Sequence, residues 1–174
     1  GKEDLANMAV AAYIAAINQF DDPEAQNFVL KQTKFIAKDE NVANIEPYLT
    51  DDRLSGTASR VLANVGSTGA AAALIAALEA STVDAQKANF IEALGDIGAI
   101  QASEIIAPYV NSNQPELRRV AIYALASIAS PASADLLYAA AKEAGFTFES
   151  TNAAAQYLRY IDNLGEAGNQ KLAL

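Results

Sequence analysis

A chain of 174 residues is long enough for one domain that buries roughly 70% of its unfolded surface. It contains no Cys and no His, which excludes a disulfide framework, thiolate nucleophiles and any catalytic or metal-binding arrangement built on imidazole. Twelve Lys and Arg against 21 Asp and Glu give a formal charge of −9, a field that repels nucleic acid and anionic lipid and favours a basic partner.

In chain order, Gly1-Lys2 without an initiating Met reads as the scar of a removed tag. A signal peptide or an upstream domain is therefore expected before it, with an extracytoplasmic location in a bacterium. The first predicted helix spans 5–20. Within it Met8 to Ile17 is the longest apolar run, ten residues against the ~20 that a bilayer needs, so no membrane insertion is expected. That run has no polar stripe, and a helix that ends a stack in solvent requires one. Both chain ends are therefore expected to abut further repeats, another domain or a second copy of the chain through self-association.

Further helices are predicted near 24–38, 42–50, 53–65, 69–80, 83–97, 100–111, 115–129, 132–144 and 151–164, with an incomplete one at 167–174. Asp22-Pro23 and Ser130-Pro131 each offer a cap residue followed by Pro at the first helical position. The paired acids Asp21-Asp22 and Asp51-Asp52 read as helix caps in preference to a cation site. Ala58, Val61, Leu62 and Val65 follow i, i+3, i+4, i+7 spacing, as do Phe90, Ala93, Leu94 and Ile97. Gly66 and Gly98 stand just past these runs, where a left-handed residue ends a helix. Ala70 to Ala73 with Ala76 and Ala77 make a helix small on nearly every side, suited to neighbours on both flanks. No segment alternates with a two-residue period, so strands are not expected.

The segments repeat. Residues 57–66 match 89–98 at an offset of 32, and these match 120–129 at 31. Ala154, Leu158, Ile161 and Leu164-Gly165 begin a fourth copy. The second half of each unit repeats as well: residues 13–17 match 74–78, and 45–49 match 106–110, both at an offset of 61. Each unit is thus a helical hairpin of about thirty residues whose apolar face is covered only by stacking on the next. In this register Leu62, Leu94 and Leu125 are equivalent core positions. The unit at 24–50 is the most degenerate, with Gln32 and Thr33 where the next copy has Val61 and Leu62.

Ala93-Leu94-Gly95-Asp96-Ile97-Gly98, followed by Ala102 and Ile105-Ile106-Ala107-Pro108, resembles the bacterial HEAT-like repeat of the phycobilisome-lyase type. Pro115 to Ala121 resembles the charged start of that family's first helix. The resemblance implies an all-α fold, a right-handed α-α superhelix (α-solenoid) of about five HEAT-like hairpins. Read as one domain over 1–174, its units fall near 5–22 (partial), 23–50, 51–81, 82–112, 113–145 and 149–174 (incomplete). It also implies that second helices line a concave face, which places Tyr48 and Tyr109 there as anchors for a partner, unless each lies half-buried along its hairpin.

Gly145 to Ser150 is where the spacing stretches, and Phe146 and Phe148 there either plug the gap or present a contact surface, plugging being the simpler expectation. Glu92 and Asp96 are i, i+4 on one helix and are expected only to repel each other at the surface. Between residues 61 and 117 six acidic side chains face one cation, Lys87, so no binding to duplex DNA is expected at physiological salt. No catalytic, metal or cofactor constellation is found, and no enzyme is expected. The candidate partner-binding residues are Tyr48, Tyr109, Glu79, Glu104, Phe146 and Phe148. They fit a protein-protein interaction or scaffolding module, a segment of a larger bacterial protein that meets a protein partner or a neighbouring domain. The alternative is a module that binds a small molecule in its concave groove, a lyase-like accessory role.

Overall fold

The structure, a computed structural model, describes residues 2–166 and 168. Among them all regular structure is helical. The helix expected at 167–174 lies outside the described residues. No helix is long and apolar enough to cross a membrane, among the described residues.

The chain divides into two compact units, 1–93 and 94–174, with the boundary inside α6 (Asp84–Ile97). In the first unit, α2 (Pro23–Thr33) and α4 (Ser55–Val65) pack side by side as one layer. Beneath them α1 (Lys2–Ile17), the short α3 (Val42–Ile45) and α5 (Thr68–Ala80) form a second layer. In the second unit, α8 (Pro115–Ile128) packs on α10 (Ala153–Glu166), and α7 (Ser103–Ile106) and α9 (Ala134–Glu143) supply the other layer. Leu62, Leu94 and Leu125, equivalent in the expected register, are each 0% exposed.

Local chemistry explains the boundaries. The Asp22 carboxylate accepts the Glu24 N–H at 3.1 Å, ahead of Pro23. Asp51 accepts the N–H groups of Arg53 (2.8 Å) and Leu54 (3.2 Å), so these acids hold turns. The Arg53 N–H above all keeps the Asp51 carboxyl below the ordinary carboxylate range. Ser130 differs from expectation: its side chain caps nothing, and its carbonyl instead accepts the buried Tyr160 hydroxyl at 3.0 Å. Gly66 (φ 66°) and Gly98 (φ 72°) are left-handed, as their positions require.

The second helices at 42–50 and 100–111 are not continuous, contrary to expectation. Each is a four-residue α-helix, α3 or α7, between two 3-10 turns, of which the later ones run Glu46–Thr50 and Ala107–Asn111. Pro47 and Pro108 cause the break, because a Pro lacks the N–H of an i→i−4 bond and its ring clashes with that carbonyl. α5 and α9 carry no internal Pro and run unbroken. α2 stops at Thr33, short of the expected 38, and continues as turns through Ala37. Thr33 fills a core slot at 0% exposure by donating its hydroxyl to the Leu30 carbonyl at 2.6 Å. α5 buries Ala70, Ala71 and Ala73 but leaves Ala72 and Ala76 in solvent, so it is covered on one side and not on both.

The stretched connection at 145–150 turns through two successive left-handed residues, Gly145 and Phe146. Glu149 then caps α10, accepting the N–H groups of Thr151 (2.7 Å) and Ala153 (2.9 Å) and the Thr151 hydroxyl. Burial pushes its carboxyl up, but these hydrogen bonds prevail and hold it below the ordinary glutamate value of 4.5. A depressed value means stabilisation that is present above pH 4.5 and lost as pH falls through the lower folded value. Glu149→Gln should therefore cost about 1 kcal/mol at neutral pH, the size of a lost cap, and less at pH 3. Urea denaturation of both proteins at the two pH values checks this. An equal loss at both would remove the charge from the explanation.

Candidate functional surfaces

The candidate residues from the sequence fall in both units. In the first, Tyr48 sits in the 3-10 turn after α3, half-buried beside Ile14, Ile17 and Pro47, and desolvation raises its phenol above the ordinary value. Glu79 is exposed near the end of α5. In the second, Tyr109 is half-buried in the matching turn after α7, and Glu104 is exposed on α7. Both tyrosines are thus half-buried.

Phe146 and Phe148 behave differently from the plug expected of them. Phe148 is 91% exposed and fills no gap. Phe146 is 53% exposed and its ring lies 6.0 Å from that of Tyr138 on α9. Tyr138 in turn meets Tyr157 edge-on at 5.7 Å, and Tyr157 stacks near Tyr160 at 6.3 Å. These spacings are those of attractive ring pairs. The result is an aromatic row on the second unit, anchored by buried Tyr160 and reaching solvent at Tyr138 (45% exposed) and Phe146. The stretched spacing of the loop points to Phe146. The participation of Tyr138 and Tyr157 needs the packing of α9 against α10.

Asp96 is not merely a surface charge that repels Glu92. It accepts the Tyr123 hydroxyl at 2.6 Å, which raises that phenol, and the Arg159 guanidinium lies 4.9 Å above the Tyr123 ring. Successive repeats in the second unit are thereby tied along α6, α8 and α10.

A further surface in the first unit has no counterpart among the residues expected from sequence. Phe28 on α2 is 65% exposed and lies over a groove between α2 and α4, with Lys31, Lys34 and Arg60 around it. The groove encloses about 340 Å³. The signal is present as Glu24, Phe28, Lys31 and Phe35 at i, i+4, i+7, i+11. Nothing in that spacing says whether the stripe faces the core or water.

Among the described residues no cluster of three or more Asp or Glu side chains is placed to hold a metal ion. Compared with known proteins, residues 71–159 match the family model described as HEAT repeats. In fold, the chain is similar to the crystal structure of an engineered protein, with a TM-score of 0.50 and 22% identity over 91% of this chain and 51% of that one. The chain thus spans about half the length of that protein, and at this identity the likeness concerns the fold alone. No curated protein matches the chain.

Proposed function

Because the chain belongs to the HEAT-repeat family, whose model covers just over half of its length, we propose that it is a scaffolding module that docks a partner protein on the aromatic row of its second unit. HEAT repeats generally serve as protein-interaction or scaffold modules, and their fold is typically not enzymatic. The carrying observation is the row Phe146–Tyr138–Tyr157, with Phe148 fully presented beside it. Ordered aromatic rings cost little conformational entropy on binding and dominate interface energetics. A partner protein is favoured over a small molecule because the row is a surface and not a closed apolar pocket. With a formal charge of −9, a basic partner would be drawn to the chain as a whole. The finer likeness to phycobilisome-lyase-type repeats rests on the motif at 93–98 and its flanks, and adds no chemistry to this reading.

Placing a photo-crosslinking phenylalanine analogue at position 148 tests the proposal, since that side chain is already in solvent. A captured protein, once purified, should bind the full chain saturably, and Phe146→Ser with Tyr138→Ser should weaken it about tenfold or more. Affinity unchanged by both substitutions, or no saturable cross-link to any protein, would overturn it.

A further inference from the structure

We infer that the groove between α2 and α4 is a separate docking site for an acidic segment of a partner protein, one that carries an aromatic or long aliphatic residue. The inference rests on the reading of the chain as an interaction module, but not on the aromatic row of the second unit.

A large apolar side chain marks the place. Phe28, on the groove wall, is 65% exposed, and Phe35, in the turns that follow α2, is 77% exposed. A ring exposed on the wall of a groove can serve as an anchor for a partner. The floor of the groove is already hydrogen-bonded. The Thr57 hydroxyl donates to Asn27 at 2.7 Å, and Asn27 donates to the Arg53 carbonyl at 3.2 Å. Asn64 on α4 donates to the Lys34 carbonyl at 2.7 Å. Both walls are thus held before any ligand arrives, which lowers the entropy cost of binding. The groove volume of about 340 Å³ suits one large side chain and the backbone that carries it.

Charge selects the occupant. Lys31, Lys34 and Arg60 ring the groove, with Glu24 the single acid on its wall. None of these three cations forms an ion pair among the described residues. In a chain with 21 acidic residues against 12 basic ones, this is a local reversal of sign, and it sits around an exposed ring. Carboxylates flanking an apolar anchor complement that pattern. A nucleic acid would meet the same cations, but its continuous run of phosphates would extend past them into the repulsion of the rest of the chain, which a short acidic segment does not.

The test is selection of a random-peptide phage library on the immobilised full chain. Acidic sequences with an aromatic or aliphatic residue should be enriched. A synthetic peptide of the enriched sequence should bind more weakly as salt rises, and at least about tenfold more weakly to Phe28→Ala and to Lys31→Glu/Arg60→Glu. It should bind Phe146→Ser as it binds the original chain. Phe28, Lys31 and Arg60 are exposed, so their variants should keep the original Tm. Enrichment only of peptides sensitive to Phe146→Ser sinks this inference and leaves the interaction reading standing, whereas no enrichment at all sinks both. Acidic peptides that tolerate the charge reversal also overturn it. So does saturable binding of a single-stranded oligonucleotide lost in Lys31→Glu/Arg60→Glu, or a concentration-dependent dimer abolished by Phe28→Ala.

Discussion

Leu94→Ala should lower the unfolding free energy by about 2–5 kcal/mol and the Tm by about 4–20 °C. Leu94 is wholly buried in α6 and holds the slot that Leu62 and Leu125 hold in their own repeats. Removing most of its side chain forfeits the transfer free energy of the lost atoms and leaves a cavity that a close-packed interior relaxes only partly to fill. Against a typical total of 5–15 kcal/mol, this is a large share. Leu94→Lys should be worse, since it also buries a charge with no partner. Urea denaturation followed by circular dichroism measures both. A Lys at 94 that left the Tm unchanged would mean the repeat register is wrong.

Gly95→Ala should destabilise the protein by about 1–3 kcal/mol, the opposite of what helix propensity alone implies. In a helix interior Ala is favoured over Gly by roughly 0.5–1 kcal/mol, and the neighbouring repeats carry Ala63 and Ala126 at the equivalent position. A Cβ at residue 95, however, would lie 2.6 Å from the Cα and 2.8 Å from the Cβ of Ala124. The obstacle is backbone, so α6 and α8 would have to separate. Gly56→Ala provides the contrast, because there the nearest atom is the Asn89 amide at 3.1 Å, the end of a side chain that can move. It should be neutral or stabilising. Adding Ala124→Gly to Gly95→Ala should recover only part of the loss, since that change removes the Cβ of residue 124 and leaves its backbone in the way. If Gly95→Ala melts at or above the original temperature, the close approach of α6 and α8 is not as described.

Phe28 shows why the basic groove is hidden in the sequence while the aromatic row is half visible there. Phe28 and Leu30 are both apolar residues of one degenerate repeat, yet Leu30 is wholly buried and Phe28 mostly in water. Two residues apart, they lie on opposite sides of α2, and only the packing of α1 and α4 decides which side is covered. Phe146 is legible because the interval between repeats stretches at that point. Its partner Tyr138 is not, because the row depends on how α9 lies beside α10.

The sequence by itself determined the all-helical hairpin repeat, the equivalence of Leu62, Leu94 and Leu125, the Asp22 cap and the left-handed turns at Gly66 and Gly98. Periodicity, capping and positive φ are settled within one or two turns of chain, so each leaves a signature in a few adjacent residues. Only the tertiary structure decided that Asp96 holds Tyr123, that Gly95 makes room for Ala124, and that Phe28 faces solvent among cations. Each of those depends on a distance between helices about thirty residues apart in sequence. Such distances follow from the packing of whole side-chain layers, which no local spacing encodes.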